Sequence, residues 1–216
     1  MRTRLIVFAK LAVEGRVKTR LAASIGSERA LQVHRRLVEV TLALARASGA
    51  DTFELRYDAA GAAPGSAAAA LPEALLAEGW RVGPQRATDV GARMRVALDG
   101  AHPAGERPVL VGSDCPALRP ADLRDAFDAL AAADAVFAPA EDGGYALVGM
   151  ARSAPALFDR MDWGTADVMA TTLARAAQAG LRVALLRTVW DVDVEADLRR
   201  WEALQAGQGD GAGRGG

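Results

Sequence analysis

Short apolar runs alternate with longer amphipathic stretches along most of this chain. Most of the apolar runs are continuous, which is typical of parallel strands that helices cover on both faces. Strands alternating with helices predict an α/β fold, a single doubly wound and mostly parallel sheet flanked by helices. The predicted strands are Leu5–Ala9, Asp51–Tyr57, Trp80–Val82, Val109–Val111, Ala135–Ala138, Ala146–Met150 and Arg182–Val189.

Capping and stop signals locate the helices between these strands. Ser27, Thr88 and Thr165 are the predicted N-cap residues of three helices, and Pro120 occupies the first turn of a fourth. A short helix is predicted within Gly61–Gly79. The helix that follows Thr165 is predicted to end at Gly180, and a last helix to run from about Val194 to Leu204.

Length and composition indicate one globular domain over residues 1–204. The chain has 216 residues, of which 51% are hydrophobic, while the glycine-rich stretch 205–216 can bury nothing and is predicted to be disordered. A net charge of -1 gives no reason to expect nucleic acid or an anionic membrane as a partner. With one cysteine, no signal-peptide core and no apolar run of membrane-spanning length, we expect a cytoplasmic protein.

The octapeptide Val109–Pro116 brings an acid to the edge of the predicted sheet. Three apolar β-formers lead into Gly112 and Asp114, so the carboxylate lies at the carboxyl end of a buried strand, where open α/β proteins bind ligands. Asp114 is then either a ligand of Mg²⁺ or Mn²⁺ or a cap of the following turn. Cys115 has only two histidines in the chain to activate it, which favours a small buried side chain over a nucleophile.

Five polar runs each follow the end of a predicted strand. Because parallel strands end at one edge, these runs are expected to meet in one crevice, although each alone is also typical of an ordinary surface loop. They are Gly15–Arg20, Gln85–Arg93, Ser113–Pro116, Glu141–Tyr145 and Asp191–Asp193.

The first of these runs is suited to polyphosphate. Gly15 permits a close backbone approach, Lys18 offers a point charge and Arg20 a planar fork, whereas a solvated basic loop is the alternative. The spacing of a nucleotide-binding P-loop is absent from the sequence.

Acidic residues dominate the later runs. In Asp191-Val-Asp193 a β-like backbone would direct both carboxylates to one side, so that one reaches the crevice while the other caps the helix that begins near Val194. Asp114 and Asp193 together would satisfy the one or two protein carboxylates that Mg²⁺ usually takes. Asp142 is either a base toward an acceptor hydroxyl or part of a hairpin turn. Asp197 is expected to stabilise the start of the last helix.

Seven motifs in order resemble a bacterial family of small glycosyltransferase-A-fold proteins, described as nucleotide-diphospho-sugar transferases. The chain is more distantly similar to nucleotidyltransferases such as phospholactate guanylyltransferase. The resemblance covers roughly residues 5–204. The motifs are Val7-Phe-Ala-Lys10, Gly15-x-x-Lys-Thr-Arg-Leu21, Asp89-x-Gly-x-Arg-Met94, Gly112-Ser-Asp-Cys-Pro116, Asp142-Gly-Gly-Tyr-x-Leu-x-Gly149, Trp163-x-Thr165 and Asp191-x-Asp-x-x-x-Asp197.

This resemblance and the interpretation of the single residues together give the expected site. The resemblance implies that Asp114 and Asp193 hold Mg²⁺ or Mn²⁺ and that Lys18 and Arg20 bind the phosphates, and with Asp142 as the base, Asp142, Lys18 and Arg20 would be the catalytic residues. The residues expected at the nucleotide and its phosphates are Lys10, Gly15, Lys18, Arg20, Gln85, Asp89 and Arg93, and those on the acceptor side are Gly143, Gly144, Tyr145, Trp163 and Thr165.

Three functions compete at this stage. The first is a metal-dependent glycosyltransferase that uses a nucleoside-diphosphate sugar, and the second a nucleotidyltransferase that releases pyrophosphate from an NTP. A single acid after the central strand is more typical of a nucleotidyltransferase. The overall motif set resembles the family described as glycosyltransferases, which we keep as the first choice. The third is a nucleotide-binding sensor without catalysis, which the retained acids and bases disfavour. We expect a nucleotide-activated donor and an acceptor that is small or is contributed across a homodimer.

Overall fold

Within residues 1–211, seven strands form one sheet in the order β3-β2-β1-β4-β6-β5-β7. The structure, a computed structural model, describes residues 1–211. Strand β6 runs antiparallel to its neighbours β4 and β5, and the other neighbouring strands pair in parallel. The predicted α/β class and mostly parallel sheet are therefore confirmed. The strands are β1 (Arg2–Lys10), β2 (Thr52–Asp58), β3 (Arg81–Pro84), β4 (Glu106–Gly112), β5 (Ala135–Pro139), β6 (Tyr145–Met150) and β7 (Val183–Leu185).

In the part of the chain that the structure describes, seven α-helices connect and cover these strands, together with two short 3₁₀ turns. Within residues 1–211, none of the helices combines the length and apolar character that crossing a membrane requires. The helices are α1 (Thr19–Ile25), α2 (Ser27–Arg46), α3 (Ala70–Ala77), α4 (Val90–Asp99), α5 (Pro120–Ala129), α6 (Val168–Gln178) and α7 (Glu195–Gly211), and the 3₁₀ turns are His102–Ala104 and Pro155–Leu157.

The two faces of the sheet bury separate hydrophobic clusters. In β1, Leu5 and Val7 point into one cluster while Ile6 and Phe8 point into the other, as the two-residue period of a strand requires. Helices α2 and α5 cover the first face, and α4 and α6 cover the second. This double cover explains why the strands are continuous apolar runs in the sequence.

Three predicted N-caps are wrong. The Ser27 hydroxyl donates to Glu14 at 2.7 Å, and α2 has no side-chain cap. Asp89, not Thr88, caps α4, because its carboxylate accepts the Ala92 N–H at 2.9 Å. The Thr165 hydroxyl donates to a backbone carbonyl within its own turn, three residues before α6 begins.

Helix α7 is fixed at its start and longer than predicted. The Asp197 carboxylate accepts the N–H groups of Asp193 and Val194 at 3.0 and 2.9 Å, as expected for a residue that stabilises the helix start. The helix continues to Gly211, past the predicted end near Leu204, since extending a formed helix adds a backbone hydrogen bond for each residue ordered. Residues 212–216 of the predicted disordered tail lie outside the described residues.

An ion-pair cluster is buried near the amino ends of the central strands, away from the carboxyl edge. Arg4 pairs with Glu54 at 3.0 Å and also with Glu106, and all three side chains are buried. Burial raises the pKa of Glu54. Because each charge has a partner, this cluster is explained by packing within the sheet.

Replacing Gly149 by alanine is expected to lower the free energy of unfolding by about 1–3 kcal/mol, because it overpacks the core. A Cβ on Gly149 would lie 2.7 Å from Val136 Cγ1 and 3.0 Å from both Leu130 Cδ1 and Val109 Cγ2. Urea denaturation measures the loss. Gly112→Ala is the matched control, since its added Cβ would meet nothing within 4 Å. Equal stability of the two variants would contradict the prediction.

Candidate functional site

A cleft of about 630 Å³ opens at the carboxyl edge of the sheet. The ends of β1, β2, β4 and β5, and the segments that follow them, contribute to its wall, and β6 starts there because the β5–β6 connection is a hairpin. Twelve of the fifteen predicted site residues line this cleft, namely Lys10, Lys18, Arg20, Gln85, Arg93, Asp114, Asp142, Gly144, Tyr145, Trp163, Thr165 and Asp193.

Gly15, Asp89 and Gly143 do not line it. The Asp89 carboxylate is engaged as the cap of α4. Gly15 has a φ of +70° and nothing within 4 Å of an added Cβ, so its turn conformation explains the glycine. Gly143 has a φ of +90°, and an added Cβ would lie 2.1 Å from the carbonyl oxygen of Ala166, so this glycine lets two backbone segments touch.

Lys18 and Asp114 form an ion pair inside the cleft. The Lys18 ammonium lies 2.8 Å from Asp114 Oδ1 and donates to the Val192 carbonyl at 2.6 Å. The Lys18 side chain is only 5% exposed, whereas the Asp114 side chain is 51% exposed. The predicted phosphate-binding lysine is thus directed at a carboxylate and a carbonyl of the protein.

Arg20 and Asp193 form a second pair at the mouth of the cleft. Their side chains are 72% and 38% exposed, and the guanidinium donates to the carboxylate. At such exposure an ion pair contributes little to stability, so a ligand can replace it at small cost.

Asp191 is a third acid near these carboxylates, and the prediction of metal ligands omitted it. Burial is the main cause that raises its pKa; Asp142 and Asp114 add to the effect, and Lys18 opposes it. The Asp-x-Asp spacing was the sequence signal for Asp191, because it predicts two carboxylates on one side of the segment. Both carboxylates line the cleft, and Asp197 caps the helix instead.

The chemistry of the acids suits a divalent cation that also binds a substrate. Among residues 1–211, no group of three or more His, Cys, Asp or Glu side chains is arranged to hold a metal alone. Mg²⁺ usually takes one or two carboxylates and completes its shell with water and substrate phosphates. Asp114 and Asp193 therefore fit as a partial ligand set.

Hydrogen bonds fix the opposite end of the cleft. The Gln85 amide donates to the Arg56 carbonyl at 3.0 Å, and the Arg93 guanidinium donates to Asp58 at 3.1 Å. The pKa of Asp58 is lowered, chiefly because its carboxylate accepts the Ala60 N–H and also by the bond from Arg93. Asp58 was absent from the predicted set, since its strand-end position alone gave no chemical signal.

Aromatic side chains form an apolar wall of the cleft. Trp163 packs edge-on against Tyr145 at 6.2 Å, and an added Cβ on Gly91 would lie 2.2 Å from the Trp163 ring. The Tyr145 hydroxyl is buried, has no hydrogen-bond partner among the described residues, and burial raises its pKa.

Asp142 lies in the β5–β6 hairpin, where it is part of the turn and also faces the cleft, as a base toward an acceptor would. Its Oδ1 accepts the Gly144 N–H at 2.9 Å, which is turn chemistry, and the side chain also lines the cleft. The Gly143 carbonyl accepts the Met169 N–H at 2.8 Å and ties the hairpin to α6.

His34 also lines the cleft, although the sequence gave it no suggestive context. It is 3% exposed on α2, and its Nε2 lies 3.0 Å from the Lys10 carbonyl. Burial lowers its pKa, which favours the neutral ring.

Cys115 is buried, as expected for a small core side chain. Its thiol donates to the Trp190 carbonyl at 3.1 Å, and burial raises its pKa to about 11. Only about one thiol in a thousand is then ionised at pH 8, so Cys115 is not an activated nucleophile.

Native protein is therefore expected to react with Ellman's reagent at pH 8 at least about 100-fold more slowly than urea-unfolded protein, because the thiol is both buried and neutral. The release of thionitrobenzoate at 412 nm measures both rates. Rapid labelling of the folded chain would contradict the prediction.

The comparisons with known proteins agree with this architecture. The model of a bacterial family described as uncharacterized, DUF2064, matches residues 31–165. A comparison with curated proteins found no match.

Three solved structures show the likeness. A proposed nucleotide-diphospho-sugar transferase from Desulfovibrio desulfuricans G20 is 34% identical with a TM-score of 0.77, and the match covers 90% of this chain and 84% of that one. Rv0371c from Mycobacterium tuberculosis, in complex with manganese, is 24% identical with a TM-score of 0.57, over 93% and 97% of the chains. A nucleotidyl transferase from Methanothermobacter is 17% identical with a TM-score of 0.58, over 92% and 95%.

Proposed function

Because the chain belongs to the bacterial family DUF2064, we propose that it is a metal-dependent transferase for a nucleotide-activated donor, and specifically a glycosyltransferase for a nucleoside-diphosphate sugar. The observation that carries this proposal is the pairing of basic and acidic side chains, Lys18 with Asp114 and Arg20 with Asp193, in one cleft at the carboxyl edge of the sheet. Such a cleft accepts a metal and a diphosphate together.

Asp114 and Asp193 would hold Mg²⁺ or Mn²⁺. Both line the cleft with half-exposed carboxylates, and the solved manganese complex of Rv0371c has the same fold. When bound, the cation neutralises charge on the departing diphosphate, which contributes several kcal/mol in such sites.

The donor would bind along the side of the cleft formed after β1 to β3. Lys10 and Arg20 are exposed basic residues there and suit the phosphates. The buried ammonium of Lys18 adds positive charge to this side of the cleft. Gln85 and Arg93 lie farther along the same wall, where their polar groups suit the nucleoside.

The acceptor would bind beside Trp163, Thr165, Gly144 and Tyr145. Asp142 lies at this end with Oδ1 bound to the Gly144 amide, and it would take the proton of the acceptor hydroxyl. The acceptor oxygen then bonds to the anomeric carbon as the bond from that carbon to the diphosphate oxygen breaks.

One observation favours a nucleotidyltransferase as the second candidate. A single acid, Asp114, follows β4, and the acid proposed to complete the site, Asp193, comes from the segment after β7. In that reaction an acceptor phosphate would attack an NTP and pyrophosphate would leave, with Lys18 and Arg20 stabilising the charge.

Product analysis with Mn²⁺ separates the candidates. A glycosyltransferase is expected to hydrolyse one nucleoside-diphosphate sugar slowly to the nucleoside diphosphate without acceptor, which anion-exchange chromatography detects. A nucleotidyltransferase would instead bind a triphosphate more tightly and release pyrophosphate when a phosphorylated acceptor is added. Binding without any turnover across the panel would identify a sensor and contradict both enzymes.

Asp114→Asn is expected to abolish the Mn²⁺-dependent rise in melting temperature produced by the best nucleotide, because the variant loses a charged metal ligand. A thermal-shift assay with and without Mn²⁺ measures this rise. Asp125→Asn, an exposed change on α5 outside the cleft, is the matched control and should keep the full rise. An unchanged rise in Asp114→Asn would remove the proposed metal site.

A further inference from the structure

The Lys18 ammonium is occupied by the protein itself. Its side chain is 5% exposed, with one bond of 2.8 Å to Asp114 Oδ1 and one of 2.6 Å to the Val192 carbonyl. Two of its three N–H donors are thus directed at groups that no substrate supplies. Arg20, in the same loop, is 72% exposed, so the two cations have different surroundings.

The two acceptors of Lys18 belong to segments far apart in the sequence. Asp114 follows β4, and Val192 lies between Asp191 and Asp193 in the segment before α7. The Val192 N–H also donates to the Asp114 carbonyl at 2.9 Å. Lys18 therefore reinforces a junction that sets the spacing of the proposed metal carboxylates.

The backbone of Lys18 is held where it can make these bonds. Lys18 precedes α1 in the left-handed region, with φ 48° and ψ 44°, a conformation uncommon for a residue with a side chain. Its carbonyl accepts the Ala22 N–H at 2.8 Å, which ties the residue to the first turn of α1.

From this geometry we propose that Lys18 is a positioning residue of the metal site rather than a ligand of the donor phosphates. It holds Asp114 by one carboxylate oxygen, which leaves Oδ2 for the cation, and it holds the segment that carries Asp191 and Asp193 through the Val192 carbonyl. The inference rests on the proposed function for the metal and adds the group that aligns its ligands. Groups that hydrogen-bond metal-ligating carboxylates commonly act this way.

Two measurements on Lys18→Met test the role, with Arg16→Met as the matched control. Arg16 is an exposed cation of the same loop that does not line the cleft. Electron paramagnetic resonance measures Mn²⁺ affinity without nucleotide, and hydrogen exchange with NMR detection measures opening at the Val192 amide. Lys18→Met is expected to weaken Mn²⁺ binding about 10–100-fold and to accelerate Val192 exchange at least about tenfold, and Arg16→Met to change neither.

Other outcomes overturn the inference. If Lys18→Met leaves Mn²⁺ affinity and Val192 exchange unchanged but weakens binding of pyrophosphate with Mg²⁺, Lys18 is a phosphate ligand. If Mn²⁺ binds more tightly to Lys18→Met, the ammonium competes with the metal. Failure of the proposed function is distinguishable, since the wild type would then bind neither Mn²⁺ nor pyrophosphate while Lys18→Met still accelerated Val192 exchange.

A measurement on the wild type covers the case in which Lys18→Met does not fold. The ¹⁵N signal of the Lys18 ammonium is expected to be protected from solvent exchange and to show no coupling to ³¹P when Mg²⁺ and pyrophosphate are added. Coupling to ³¹P would show direct phosphate contact and overturn the inference.

Discussion

The backbone hydrogen bond from the Val192 N–H to the Asp114 carbonyl, 2.9 Å long, is the constraint on which the acidic end of the cleft depends. It joins the end of a central buried strand to a segment almost eighty residues later in the chain. The strand supplies rigidity, because Val109 and Val111 are fully buried between helices. The later segment has little regular structure, so its position is set by this junction and by the cap that Asp197 provides at α7.

Charge in the cleft is balanced locally. Lys18 faces Asp114 from the buried side, and Arg20 faces Asp193 from the exposed side. The first pair holds the framework, because the Lys18 ammonium is buried and would carry a large desolvation cost without its partners. The exposed pair is weakly held and can exchange protein partners for ligand at small cost. A cleft built in this way keeps its shape while its entrance remains adaptable.

The sequence predicted which segments meet in the cleft better than it predicted the hydrogen bonds that their side chains make. Asp114 and Gln85 follow strand ends, and parallel strands share one carboxyl edge, so topology alone brought them together. Which neighbour caps a helix is decided by backbone angles at single residues, and Asp89, directly before α4, has the extended conformation of an N-cap residue. His34 was missed because a histidine on an apolar helical face looks like any core residue until the fold shows that it reaches the Lys10 carbonyl.

Helix α4 belongs to both halves of the cleft. Arg93 faces the side proposed for the nucleotide, while the bare backbone of Gly91, two residues earlier, is the surface against which the Trp163 indole rests. No side chain lies between them to absorb a displacement. Any tilt of α4 caused by a nucleotide would therefore displace the Trp163 indole on the acceptor side. The two sides of the cleft thus have one helix as their common wall.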